Sequence, residues 1–108
     1  PLAVLVNGNS ASAAEIFAGA VKDYGIGTLV GTTTYGKGIV QKIFDLGDDT
    51  AVKLTVSKYF TPKGNYIHEV GIKPDVEIDL NDDLKKMAII PMDQDNQLQK
   101  AIEILKGQ

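Results

Sequence analysis

The sequence predicts an α/β fold: a βαβ unit, then a β-hairpin, then a C-terminal helix. Three observations carry this reading. Leu2 to Val6 is a continuous apolar run closed by Asn7-Gly8-Asn9, the pattern of a parallel-sheet strand buried on both faces. Ala13, Ile16, Phe17, Ala20, Val21 and Tyr24 recur at spacings of three and four, which marks the apolar stripe of an amphipathic helix. Ile39 to Leu46 and Ala51 to Phe60 are rich in β-branched and aromatic residues and flank Gly47-Asp48-Asp49, which is turn chemistry for a hairpin.

The remaining elements follow in order. Gly25-Ile26-Gly27 stops the first helix, and Thr28 to Val30 is a second short apolar strand. A strand, a helix and a strand within about thirty residues form a βαβ unit, whose crossover is right-handed. Gly31 to Gly38 is too glycine-rich for regular structure. After the hairpin, Thr61-Pro62-Lys63-Gly64 is a turn, Tyr66 to His68 a short strand, Gly71-Ile72-Lys73-Pro74-Asp75 another turn, and Val76 to Ile78 an extended piece. Residues 79–95 are polar and contain Pro91, so they read as a surface connection with one helical turn near Leu84. The last helix carries Leu98, Ala101, Ile102 and Leu105 on one face and takes Asn96 as its cap.

Composition excludes several functions. The chain has 108 residues, 44% hydrophobic and 23% charged, as expected for a single small globular domain. With no cysteine there is no disulfide framework, no thiol nucleophile and no Cys-type zinc site. No apolar run reaches the roughly 18 residues of a membrane span. The net charge is −3 and every basic residue is Lys, so the basic stripe and arginine forks of a nucleic-acid binder are missing. The start, Pro1-Leu-Ala-Val-Leu-Val6, has neither an initiator Met nor a charged signal-like segment and reads as a cut into a longer protein.

The βαβ unit concentrates the chemistry. Parallel strands joined by a helix bring both C-terminal strand ends to one edge, where ligand sites of open α/β sheets form. The loops meeting there are Asn7 to Ser12, with Ser10 and Ser12, and Gly31 to Gly38, with Lys37. Ser12 opens the helix, where unpaired amides and the positive dipole end stabilise an alkoxide, and where the Ala13 amide could hold an oxyanion. Ser12-Ala-Ala-Glu15 also fits a capping box, the commoner use of a serine before a helix. A lysine acts as a general base only when neutral, which burial in an apolar pocket favours; a lone lysine is more often solvated. Gln41 could orient Lys37 only if the chain bends near Gly36 to Gly38, because positions four apart on a straight strand lie about 13 Å apart; otherwise it is an ordinary polar strand residue.

Three other motifs lead nowhere. Gly31-Thr-Thr-Thr-Tyr-Gly36-Lys37 copies the first seven positions of a P-loop, but Gly38 stands where Ser or Thr should hold magnesium, and a strand follows in place of a helix. Asp79-Leu-Asn81-Asp-Asp83 begins like a calcium loop and continues with Leu84 in place of Gly, with Ile90 where a bidentate acid belongs. His68, the only histidine, falls in a polar turn and reads as solvated.

Val4-Leu-Val-Asn-Gly-Asn-Ser-Ala-Ser-Ala-Ala-Glu15, Gly31-Thr-Thr-Thr-Tyr-Gly-Lys-Gly-Ile-Val-Gln41, Leu54-Thr-Val-Ser-Lys-Tyr-Phe-Thr-Pro-Lys-Gly64 with Ile67, and Gly71-Ile-Lys-Pro-Asp75 together resemble one family. It is that of the C-terminal processing peptidases, or tail-specific proteases, and the likeness covers the C-terminal half of their protease core. The resemblance spans about residues 2–80, in the family's order and spacing; residues 81–108 match nothing specific. It implies a crotonase-like or Clp-protease-like α/β core and a serine endopeptidase that cuts protein substrates near their C-termini with a Ser/Lys dyad, without metal or cofactor. Carried over by position, Ser12 is the nucleophile, Lys37 the general base, Gln41 the residue that positions it, and the Ala13 amide one oxyanion donor. Asp23 matches a supporting aspartate of some members. Ala14 and Ile26 depart from the common pattern, where a serine and an arginine are frequent.

The resemblance also implies what lies elsewhere: a second oxyanion donor (a glycine), a PDZ domain and an export signal, all upstream. The expected organisation is therefore 1–80 as the C-terminal half of the protease core and 81–108 as polar connection and amphipathic helix. The parent protein is expected outside the cytoplasm, secreted, periplasmic or envelope-anchored, with peptide segments as substrates and no nucleic-acid partner. The alternative is a non-catalytic module that binds peptide or self-associates, because exposed sheet edges invite dimerisation.

Overall fold

The computed structural model describes residues 1–107. Strand β1 (Ala3–Val6) and strand β2 (Thr28–Gly31) pair in parallel with Val6 opposite Gly31, and helix α1 (Ala13–Asp23) makes the crossover. Strands β3 (Ile39–Gly47) and β4 (Thr50–Lys58) form the hairpin, β5 (Val76–Glu77) adds to β2, and α2 (Asn96–Lys106) ends the chain. The sheet order is β1-β2-β5, all parallel, so β2 lies at its centre and β1 at an edge.

Alternation along the strands sorts the side chains into two layers. Val4, Val6 and Leu29 join Ala18 and Val21 of α1 and the loop residues Ile67 and Ile72 in the core. Val30, paired with Leu5, faces the other way, and α2 packs against β1 and β2 with Ala101 buried. Helix, sheet and helix thus stack in three layers. The second layer is thin. Leu5 remains 44% exposed, so β1 is not buried on both faces as its apolar run suggests.

The apolar stripe of α1 departs further from expectation. Glu15, Ala18, Gly19 and Val21 are its buried residues, while Ile16, Phe17 and Tyr24 are exposed. The small side chains of Ala18 and Gly19 allow close approach: a Cβ on Gly19 would already touch Ile72 and Thr61. The bulky apolar residues point to a side where the described residues supply no layer. The helix then ends as its glycines predict. Gly25 at φ 65° closes a Schellman motif in which the Ile26 amide donates to Val21 O (3.2 Å) and the Gly25 amide to Lys22 O (3.1 Å).

The hairpin turns through Asp48 and Asp49 at φ 52° and 60°, the two left-handed residues of a type I′ turn. Val56 is left unpaired as a bulge, because Val40 faces Ser57 and Gln41 faces Thr55. Nearly all of the ribbon is exposed, and the radius of gyration is 17.0 Å, against about 13 Å for a compact chain of this length. The ribbon projects from the body.

Three smaller expectations change. Tyr66 to His68 is no strand; only an isolated bridge joins Tyr66 to Phe60 across the Thr61–Gly64 turn. Helix α2 is capped by Asp95, whose carboxylate accepts from the Leu98 amide (3.0 Å). Asn96, one residue inside, instead ties the connection, accepting from the Asn81 amide and donating to Asp79 O. Leu84, in its turn, is 3% exposed and anchors that connection. Its acids Asp79 and Asp82 pair with Lys85 at 2.8 and 3.1 Å.

Candidate active site

Parallel pairing delivers the loops after β1 and β2 to one rim, and their first contact requires glycine. The Thr32 amide donates to Val6 O (3.0 Å), and Gly31 lies at φ 137° where a Cβ would collide with that carbonyl. The Tyr35 amide then donates to Ser10 O (2.9 Å), tying the second loop to the first.

The two serines differ. The Ser10 hydroxyl accepts from the Asn7 amide (3.1 Å) and the Ser10 amide donates to Asn7 O (2.9 Å), so Ser10 builds the turn. Ser12 is half-buried at φ 58°, ψ −118°, a conformation that L-residues other than glycine rarely hold and that concentrates at functional sites. Its side chain lies in capping-box position over the Glu15 amide but makes no cap hydrogen bond. The Ala13 amide, at the helix N-terminus, has no intrahelical acceptor and donates to none among the described residues.

Glu15 joins the two loops. It is fully buried, and its Oε1 accepts from the backbone amides of Ser12 (3.0 Å) and Lys37 (2.8 Å). Its Oε2 accepts from the Gly36 amide (2.8 Å) and the Thr34 hydroxyl (2.6 Å). Thr34 Oγ1 in turn accepts from the Ile72 amide (2.7 Å). Sharing one oxygen holds the Ser12 and Lys37 backbone nitrogens within about 6 Å of each other, two hydrogen-bond lengths at most. Burial pushes the Glu15 carboxyl up, but the Thr34 hydroxyl and the Lys37, Gly36 and Ser12 amides outweigh it and hold the group below the usual carboxylate range.

The sequence reading treats Glu15 only as a capping residue. Its wider role left one local signal: it is the only acid before Asp23, set three and four positions ahead of Ala18 and Gly19 on the small-residue face.

A third segment supports the lysine loop from behind. The Glu69 amide donates to Gly36 O (2.7 Å), and the Tyr59 amide to Gly38 O (2.6 Å). A Cβ on Gly38 would collide with the His68 amide nitrogen. His68 is therefore not the solvated turn residue expected. It is half-buried against this loop, with Nδ1 accepting from the Gly38 amide (3.3 Å).

The other expected site residues are less central. Lys37 is half-buried. Gln41 is exposed on β3 and makes no side-chain hydrogen bond to Lys37 among the described residues. Gly36, at φ 90°, does bend the chain just before Lys37. Asp23 lies at the far end of α1, about 16 Å from Ser12 by helical rise. It accepts from the Lys63 amide (2.9 Å). The Thr61 hydroxyl and that amide, helped by the Lys63 and Lys22 charges, outweigh desolvation and lower its pKa. A cavity of about 270 Å³ opens at this end, between α1 and residues 61–73, not at Ser12. β3 follows Lys37 directly, so the strand-to-helix context of a P-loop is absent.

A serine on a strained strand-to-helix turn above a parallel sheet, with a free helix-terminal amide beside it, is an arrangement of serine hydrolases. Comparison narrows the class. Residues 1–78 match the model of Peptidase family S41. A carboxyl-terminal-processing protease of Synechocystis sp. is 45% identical over 107 residues, covering 99% of this chain and 25% of that protein. A solved photosystem II D1 C-terminal processing protease superposes with a TM-score of 0.69 at 48% identity, over 73% of this chain and 20% of its own. Mature CPAF, at 21% identity and a TM-score of 0.68 over 96% of this chain and 18% of its own, shares the fold. The chain belongs to peptidase family S41. It spans about a quarter of the length of the Synechocystis relative.

Proposed function

We propose that this chain carries the reacting half of a serine endopeptidase that cleaves protein substrates near their C-termini, with Ser12 as nucleophile and Lys37 as general base. One observation carries the reading: a single buried carboxylate oxygen accepts from the amides of both residues, so the two backbones are held in register before substrate arrives. Lys37 Nζ takes the proton from Ser12 Oγ as the oxygen attacks the scissile carbonyl. The tetrahedral oxyanion forms beside the Ala13 amide. Lys37 then returns the proton to the leaving amine, and water releases the acyl group from Ser12 by the same path. The family resemblance assigns Gln41 the positioning of Lys37 and Asp23 a supporting role, although neither side chain bonds to Ser12 or Lys37 among the described residues. The chemistry uses no metal or cofactor.

The second oxyanion donor belongs to an upstream segment of a longer parent protein, which we place outside the cytoplasm on the family resemblance. Half an oxyanion hole costs about 10²–10³ in rate, so the 108-residue chain alone is expected to be inactive or nearly so. In the parent protease, Ser12→Ala and Lys37→Ala are each expected to lower peptide cleavage at least about 10³-fold, while EDTA leaves wild-type activity intact. A fully active Ser12→Ala parent would remove the reading.

A second property rests on a separate observation. Ile16, Phe17 and Tyr24 on α1, and Phe44, Leu54 and Val56 on the ribbon, are exposed, and β1 is an open edge. The isolated chain is expected to self-associate through these surfaces. Sedimentation that finds only monomer at 100 μM (a concentration on the order of a weak dimer's Kd) would count against it.

A further inference from the structure

We propose that His68 is a positioning residue for Lys37. The proposal rests on Lys37 being the base.

A backbone amide can only donate, so the ring nitrogen that receives the Gly38 N–H (3.3 Å) must carry a lone pair. The bonded imidazole is the neutral form with its proton on Nε2. Gly38 directly follows Lys37, and its other backbone group is also held, its carbonyl accepting from the Tyr59 amide (2.6 Å). On the opposite side, Glu15 grips the amides of Gly36 and Lys37. The backbone around Lys37 is thus held by Glu15 at Gly36 and Lys37 and by His68 and Tyr59 at Gly38. The absence of a Cβ at Gly38 lets the 67–69 backbone come this close.

The ring's other contacts are looser. On its own segment, Glu69 Oε1 lies 3.9 Å from Nε2 and is 86% exposed, so solvent screens it. The Tyr66 ring centre is 6.2 Å away, and Lys58 of β4 sits over that Tyr66 ring at 5.5 Å.

The test compares wild type, His68→Gln and His68→Leu in the parent protease. Glutamine offers a carbonyl acceptor that does not titrate, and leucine offers none. At pH 8, His68→Leu should lower kcat about 3–10-fold with KM unchanged, the loss expected for one backbone hydrogen bond, and His68→Gln should restore kcat to within about twofold. A leucine variant as active as glutamine, or a loss that appears in KM and not in kcat, overturns the proposal.

Failure of the dyad itself is read separately, from Ser12→Ala and Lys37→Ala in the same assay. Hydrogen exchange at Gly38 gives a readout free of activity. Its amide should exchange about 3–10-fold faster in His68→Leu than in His68→Gln at pH 8, and equal rates would overturn the clamp.

Discussion

Glu15→Gln is the perturbation that most severely tests the frame of the site. The side chain keeps its shape, but one oxygen becomes an NH₂ group that faces two donors, either the Ser12 and Lys37 amides or the Gly36 amide and Thr34 hydroxyl. Of these groups only the Thr34 hydroxyl can turn to accept from the NH₂ group, so one or two hydrogen bonds are lost and one or two donors are left unpaired, at about 1–3 kcal/mol each. The surviving bonds lose their charge assistance. The expected destabilisation is about 1–5 kcal/mol, a large share of the roughly 5–15 kcal/mol a small domain has. Urea unfolding of the chain, followed by circular dichroism, measures it directly. A shift below about 0.5 kcal/mol, the size of an ordinary surface substitution, would refute the claim that this carboxylate holds the two loops together.

Acid should act through the same group. The folded-state pKa of Glu15 is lowered, so its contribution is complete above the unfolded value of about 4.3 and fades as pH falls below that toward the folded value. The urea midpoint should therefore drop between pH 5 and pH 3, less steeply in Glu15→Gln; identical slopes would contradict the assignment. Gly31→Ala should cost more than about 3 kcal/mol or prevent folding, because the new Cβ meets the Val6 carbonyl at a left-handed φ; a thermal melt within a few degrees of wild type would show that the loops meet differently. Asp95→Ala should cost about 1 kcal/mol through loss of the α2 cap. Ser substituted there should recover most of it, and a neutral Asp95→Ala would place the cap elsewhere.

The parts of the fold that the sequence revealed are those written in local patterns. The apolar runs of β1 and β2, the glycine stop after α1 and the Asp-Asp turn of the ribbon each depend on residues within a few positions. The misread parts depend on distant partners. Periodicity marked Ile16, Phe17 and Tyr24 as a helix face, and the pattern was real, but apolarity does not reveal whether a layer exists to cover it. Asp95 and Asn96 are both good caps, and only the backbone decides between them. The site shows the same division. Ser12, Ala13 and Lys37 are candidates that the βαβ geometry brings to one rim and the family resemblance selects. Apart from Ser12, the partners of Glu15 lie 19 to 22 positions away, and His68 lies 30 from Gly38, so neighbouring residues do not name these partners.

The most direct test of the central claim is covalent labelling of the parent protease with a serine-directed fluorophosphonate, with the modified residue located by mass spectrometry. The account predicts a single adduct on Ser12, abolished in Lys37→Ala. Labelling at Ser10, or equal labelling of Ser12 with and without Lys37, would contradict it.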